Sequence, residues 1–187
     1  MIDVRLATIS DAPTIAEVHV ASWRAAYREL MPDTILAKLS VTERAATWAS
    51  DIAGGSSTVF VATTDSSLIG LLAIAHSRDA DAQLGTFEIL ALYVAPTSWS
   101  QGAGRALCLA ADSFANSRGA DRLTLWALTG NTRAHRFYSS IGFHQQTGTT
   151  RPYERHGLSL EQVRYAKPVV GLLAPELSPV LSRRHRR

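Results

Sequence analysis

The sequence predicts a mixed α/β layer protein, with a central sheet of about seven strands and helices on both faces. Three observations carry that expectation. Strand and helix patterns follow one another in the order β, helices, β, β, β, α, β, α, β, β. The chain of 187 residues is 46% hydrophobic and 19% charged, which suits one domain with a sizeable core. An apolar strand, Leu90–Val94, leads to the turn Gln101-Gly102-Ala103-Gly104, which opens a helix. A helix N-terminus offers unpaired N–H groups and positive dipole charge, so the turn is a candidate cradle for a diphosphate.

The elements are justified in chain order. Residues 2–7 alternate like a strand. Thr8-Ile-Ser-Asp11 has the form of a capping box, and Asp11 is a second candidate cap that puts Pro13 in the first helical turn. The helix that follows carries Ile15, His19, Trp23 and Tyr27 at four-residue spacing, on one apolar and aromatic face. Met31-Pro32-Asp33 interrupts it. Residues 34–39 and 42–53 read as two further helical pieces, the second capped by Thr42, and Gly54-Gly55-Ser56-Ser57 is a break. Thr58–Thr64 and Leu68–His76 form a hairpin around Asp65-Ser66-Ser67.

A polar loop, Ser77–Gln83, leads to a long strand, Thr86–Val94. The helix over 103–118 is expected to turn Ala106, Leu107, Ala110, Ala111 and Phe114 inward and to end at Gly119. Arg122–Leu128 is a strand. Asn131 caps a helix whose inward face is Ala134, Phe137, Tyr138 and Ile141, and Gly142 stops it. Phe143–Thr147 begins a strand, 148–157 reads as a polar loop, and Leu160–Ala166 is the last strand, closed by Pro168. The expected division is a domain over 1–168 and an appendage over 169–187.

Composition narrows the function classes. The formal charge of +3 comes from the tail: Arg183, Arg184, Arg186 and Arg187 account for four of the 19 basic residues, against 16 acidic ones. Such a tail is read as a solvated end, and no nucleic-acid partner is expected. No stretch offers the roughly 18 apolar residues that a membrane span needs. The N-terminus reads as a strand, not a leader, so a cytoplasmic location is expected. Cys108 is the single cysteine, and His135, His144, His156 and His185 show no ligand spacing, so no metal is expected.

Two motifs resemble the GNAT superfamily of acyl-CoA-dependent N-acetyltransferases. In the first, Gln101, Gly104 and Ala106 match the pattern Arg/Gln-x-x-Gly-x-Gly/Ala, ahead of a helix rich in small and aliphatic residues. The second is Asn131-Thr-Arg-Ala134-His-Arg-Phe137-Tyr138-Ser-Ser-Ile-Gly142-Phe143, which resembles Asn-x-x-Ala-x-x-Phe-Tyr-x-x-x-Gly-Phe very closely. The two stand in the family's order, and the similarity runs over residues 2–168. His19-Val-Ala-Ser-Trp-Arg-Ala-Ala-Tyr27 resembles a bacterial branch of it.

The resemblance implies a GNAT fold, acetyl-CoA as co-substrate, and transfer to an amine. It implies that the backbone of Gln101, Gly102, Ala103, Gly104, Arg105 and Ala106 binds the CoA diphosphate. It also implies that the fourth strand splays from the fifth, and that the backbone of Leu92 and Val94 pairs with pantetheine. The Leu92 N–H would then face the thioester oxygen, a contribution of about 3 kcal/mol. Asn131 would contact the CoA arm, and Arg136 or Arg133 its phosphates. The alternative for Gly102 and Gly104 is a tight turn with close packing, and for Asn131 a plain helix cap.

The reaction needs a neutral amine, and an alkyl ammonium is only about one part in a thousand neutral near pH 7. Glu88, in an apolar strand, is the candidate base. Alternation puts it on Val94's face unless a bulge intervenes. The alternative is a strand-end carboxylate paired with an arginine. Tyr138 holds the family's catalytic tyrosine position and is the candidate acid for the departing thiolate; otherwise it is a core residue beside Phe137 and Ile141.

His19, Trp23 and Tyr27 border the implied acceptor pocket, with packing on the sheet as their alternative. His19 is a second candidate base and His76 a lesser one. Cys108 reads as packed, against a covalent acetyl-cysteine route. The expected acceptor is a small-molecule primary amine: an aminoglycoside-like antibiotic, a polyamine or an amino-acid derivative. The alternatives are a protein lysine or N-terminal acetyltransferase and a non-catalytic CoA-binding regulatory domain. A homodimer through exposed sheet edges is expected from the same resemblance.

Overall fold

Alternating apolar residues build the sheet from its middle outward, and the computed structural model describes residues 1–169 apart from 66 and 156. The strands are β1 (Asp3–Leu6), β2 (Thr58–Thr64), β3 (Ser67–His76), β4 (Thr86–Val94), β5 (Arg122–Leu128), β6 (His144–Arg155) and β7 (Leu158–Pro168). They lie in the order β1-β2-β3-β4-β5-β7-β6. All pairs are antiparallel except β4 with β5. The helices are α1 (Ala12–Ala26), α2 (Asp33–Ala37), α3 (Val41–Gly54), α4 (Ala103–Ser117) and α5 (Thr132–Ser140). This is the mixed seven-stranded sheet that the sequence predicts, with helices on both faces.

Two cores form because the pleat sends alternate side chains to opposite faces. On one face Leu72, Ile74, Phe87, Ile89 and Leu123 pack against Leu107 and Ala111 of α4 and against Phe143. On the other, Val59, Val61, Leu71 and Ala73 pack against Ile15, Ala16 and Trp48 of α1 and α3. Burying a side chain such as Leu107 completely contributes roughly 2 kcal/mol.

Several local expectations change. The cap of α3 is Ser40, whose Oγ accepts from the Glu43 N–H at 3.2 Å, and Thr42 lies inside the helix. The capping box at Thr8 and Asp11 is present, on a short 3₁₀ turn that leads into α1. The buried line of α4 is Ala103, Leu107, Ala111 and Ala115 with Cys108, while Ala106, Ala110 and Phe114 are half-buried.

The polar segment 148–157 is not a loop: β6 continues through it to Arg155. Its polar composition misled because β6 is an edge strand, hydrogen-bonded on one side only and mostly exposed. A register shift against β7 between Gln145 and Thr150 accommodates Gly148, at φ +74°. The arginine cluster, His156 and His185 lie outside the described residues. Among the described residues no helix is long and apolar enough to cross a membrane.

Candidate active site

The site is built on a fork in the sheet. β4 and β5 pair in parallel only from Thr86↔Arg122 to Ile89↔Leu125. Beyond Ile89 they diverge. The cause lies on β4's other side, where the β3 register passes from Ile74↔Ile89 to Ala73↔Ala91 and leaves Leu90 as an extra residue. A bulge of this kind bends its strand and ends regular pairing nearby.

The bulge also changes which groups face the gap. Ala95 N–H donates to the Ile69 carbonyl at 2.8 Å. In an antiparallel ladder hydrogen-bonded and non-hydrogen-bonded pairs alternate, so the polar backbone of Tyr93 and Ala91 points at β3. That of Leu92 and Val94 points into the fork, where no strand pairs with it. The Val94 carbonyl accepts the Trp99 indole N–H at 2.7 Å, which pins the turn before α4.

α4 begins on the same side of the fork. Gly102 has φ +97°, a backbone conformation that glycine adopts without strain, and it caps the helix. Gly104 answers to a different need: a Cβ there would stand 3.1 Å from Phe137 Cζ, so its hydrogen lets α4 and α5 approach. The N–H groups of Gly102, Ala103, Gly104 and Arg105 have no helical acceptor, as at any α-helix start. The Ala106 N–H does not belong with them, because it donates to the Gly102 carbonyl at 3.0 Å. The Gln101 side chain turns back to the Thr97 carbonyl at 2.9 Å. Arg133 stacks over Trp99 at 3.8 Å, while Arg136 lies exposed on the rim.

Leu92, Val94, Gly102–Arg105, Arg133 and Arg136 line a cavity of about 760 Å³ with Asn131, Phe137 and Tyr138, while Gln101 and Ala106, expected to bind there too, are not part of its lining. Asn131 Oδ1 accepts the Ala134 N–H at 3.1 Å, so the cap is real, and the side chain also reaches Tyr27. Burial holds the Tyr27 phenol well above its usual range; the charges of Tyr93, Tyr138 and Tyr153 add to this, and the Asn131 hydrogen bond offsets a little. Tyr138 is pushed up in the same way, first by burial and then by Cys108 and Tyr93. Its ring rests 5.9 Å from Phe143 and 6.0 Å from Tyr165, so Tyr138 joins the core while lining the cavity.

A second cavity, of about 380 Å³, opens on the other face of the sheet. The two share Tyr27, Ile89, Leu90, Ala91, Tyr93 and Trp126, and so meet at the fork. His19 and Trp23 of α1 and Glu88 line the second cavity with Tyr93, Arg78 and Arg151. Glu88 is therefore not on Val94's face: the bulge at Leu90 inverts the alternation between them. It is 2% exposed, accepts the Arg78 N–H at 3.3 Å, and stands 3.7 and 3.9 Å from the guanidinium groups of Arg78 and Arg151.

His19 sits in an aromatic box, stacked on Tyr93 at 4.3 Å. Its Nδ1 accepts the Trp48 indole N–H at 3.1 Å. An indole only donates, so Nδ1 carries no proton and its lone pair is engaged. His19 thus orients Trp48 and Tyr93, and the base role expected of it has no open nitrogen on that side. His76 stacks on Phe87 at 4.2 Å, exposed at the end of β3, and lines neither cavity.

Sequence reasoning missed the polar frame of the second cavity. Asp79 accepts the Trp126 indole N–H at 3.0 Å and receives Arg151 at 3.4 Å and Arg164 at 3.3 Å. Arg164 also grips Asp81 through two bonds of 2.6 and 2.7 Å, and Arg151 lies over Trp126 at 4.2 Å. The Ser77–Gln83 loop is thereby tied to β5, β6 and β7. A lone tryptophan in an apolar strand, whose indole needs an acceptor, is the one signal that hinted at it.

The pattern of the Acetyltransferase (GNAT) family matches residues 17–143. The chain is similar to an uncharacterized N-acetyltransferase of Bacillus subtilis (strain 168), 32% identical over 179 residues and 95% of each chain. Its fold is similar to the PaiA N-acetyltransferase of Thermoplasma acidophilum in complex with coenzyme A. That match has a TM-score of 0.66 and 21% identity, and covers 90% of this chain and 99% of that one. It is likewise similar to the ribosomal-protein-alanine N-acetyltransferase of Brucella melitensis, with a TM-score of 0.68 and 21% identity, covering 89% and 99%.

Proposed function

We propose, from the premise that this chain belongs to the acetyltransferase (GNAT) family, that it moves an acetyl group from acetyl-CoA to the primary amine of a small molecule within a ternary complex. The observation that carries the reading is the meeting of two cavities, one on each face of the sheet, at the unpaired edge of β4. Acetyl-CoA supplies an activated thioester. The chain's residues fit it: Leu92 and Val94 present backbone groups to a pantetheine lying along β4, and Gly102–Arg105 present N–H groups to a diphosphate. Arg136, exposed on the cavity rim, would meet a further phosphate, and Asn131 the arm between.

In the transfer the amine nitrogen bonds to the acetyl carbon and the carbon–sulfur bond breaks. The nitrogen loses a proton and the sulfur gains one, giving an amide and the free thiol of CoA. Leu92 N–H is the donor toward the thioester oxygen, for about 3 kcal/mol. Tyr138, a phenol protonated at neutral pH and lining the first cavity, is the donor for the sulfur. Glu88 is the proton acceptor at the floor of the second cavity, directly or through water. Cys108 lies on the buried side of α4, its thiol pushed up to about 12 by burial, which favours direct attack over a cysteine intermediate. A wall of α3 on one side and the β6–β7 hairpin on the other supports a small acceptor over a peptide. The exposed edges β1 and β6 are the surfaces a homodimer would use.

The test is CoA-thiol release by the purified protein over a panel of amino acids, polyamines, aminoglycosides and short peptides. Turnover of a small amine is expected. Acetyl-CoA binding with no thiol release for any amine would favour a regulatory domain, and release with peptides alone would favour a protein acetyltransferase.

A further inference from the structure

The charges of the second cavity point to a particular acceptor. α3 presents Arg44, Thr47, Trp48 and Asp51 to it, at the spacing of one helical face. Three guanidinium groups line the cavity, on Arg44, Arg78 and Arg151, against two carboxylates, on Asp51 and Glu88. The half-buried Arg44 has no carboxylate within 4 Å among the described residues, and its side chain makes no hydrogen bond there. Arg151 commits Nε to Gln162 at 3.0 Å and Nη1 to Asp79 at 3.4 Å, which leaves Nη2 toward the cavity. Glu88 approaches Arg78 and Arg151 no closer than 3.7 and 3.9 Å, beyond hydrogen-bond reach of their side chains. Arg78 is 68% exposed and lines the cavity from the solvent side.

We propose that the acceptor is zwitterionic: an amine that carries its own carboxylate or phosphonate, held by Arg44, Arg78 and Arg151 while the nitrogen points to the fork. This rests on the second cavity being the acceptor site. An Arg–carboxylate or Arg–phosphonate contact is bidentate and charge-assisted, and three such donors line the same space as Trp23, Tyr93 and Tyr153. Burial already lowers the Arg151 pKa, so an incoming anion would relieve a guanidinium that is short of solvent. A polyamine or aminoglycoside, bearing several cations, would meet repulsion from the same three side chains.

The test uses the full chain and matched compounds. CoA release is compared for L-amino acids and aminoalkylphosphonates against the corresponding carboxamides and decarboxylated amines. In parallel, N-acetyl-amino acids and N-acetylaminoalkylphosphonates are titrated against tryptophan fluorescence, which reads occupancy without turnover because Trp23, Trp48 and Trp126 line the cavity. The anionic compounds are expected to be preferred at least 10-fold in kcat/KM, and the two anion arms show whether carboxylate or phosphonate is the better fit. Arg44→Gln is expected to weaken the titration about 10- to 100-fold, with Arg44→Lys recovering part of it.

Equal or better turnover of the decarboxylated amines, or an unchanged titration in Arg44→Gln, would overturn the proposal. Arg44-dependent titration with no thiol release from any amine would sustain the anion site while sinking the transfer reading. Release with uncharged amines alone would do the reverse.

Discussion

The two cavities are made of different material. The one facing α4 and α5 is built largely of backbone: the β4 edge at Leu92 and Val94 and the first turn of α4. The one on the other face is built of side chains brought from α1, α3, the β3–β4 loop, β5 and β6. A backbone surface reads the invariant part of a ligand and tolerates sequence change. A side-chain surface sets which ligand enters, and each member depends on partners far away in the chain. That contrast matches a cofactor half and an acceptor half, and it can be broken at either end.

The largest expected effect sits in the cavity facing α4 and α5, at Tyr138. Tyr138→Phe should lower kcat about 100-fold, as for loss of a general acid, with acetyl-CoA affinity unchanged by calorimetry. Unaltered turnover would reduce Tyr138 to a packing residue. Next is Asp79→Asn, which leaves Trp126 an oxygen but removes the charge facing Arg151 and Arg164. About 2 kcal/mol of stability should be lost in urea unfolding, with a raised acceptor KM and an unmoved acetyl-CoA affinity. If acetyl-CoA affinity fell instead, the division between the halves would be wrong.

Gly102→Val tests the other side. A β-branched residue at φ +97° is strained by about 1–2 kcal/mol. The expected outcome is acetyl-CoA binding weakened about 10-fold by calorimetry, with N-acetyl-amino acid titration unchanged.

The same contrast explains what the sequence made legible. The cavity proposed for the cofactor is made of parts contiguous in sequence, so its pattern is local: Leu92 and Val94 precede Gly102–Arg105 on one strand-turn-helix, and Asn131–Phe143 is one helix and its stop. The seven strands were visible for the same reason, since alternation is local. Alternation puts Glu88 on Val94's face only in the absence of a bulge; the extra residue at Leu90 reverses every later side chain, and a bulge leaves no mark in composition. Arg151 reads as part of a loop because an edge strand can be polar on both sides. Arg44 stood on a plain amphipathic helix, and Asp79 in a plain polar loop. The contacts of Asp79 join residues as far apart as Asp79 and Arg164, which no local pattern encodes.

The smallest effect lies outside both halves and measures the frame alone. Asp11 takes two 2.8 Å bonds from Arg5 and closes the capping box ahead of α1 with Thr8. The Arg5 hydrogen bonds hold its carboxyl below the usual carboxylate range, burial works against them, and the Thr8 N–H and hydroxyl add to the lowering. A carboxyl whose folded pKa lies below its unfolded one stabilises the fold fully above the unfolded value, near pH 4. That contribution fades as pH falls through the folded value. Arg5 is 44% exposed, so the pair is partly screened. Asp11→Asn should therefore cost about 1 kcal/mol in urea unfolding at pH 7, and the gap to the parent should close progressively below pH 4. Kinetics on both substrates should not move. A gap that stayed constant with pH would mean that the asparagine disturbs packing at the start of α1, and a change in acceptor KM would mean that α1 carries this distant contact through to His19 and Trp23.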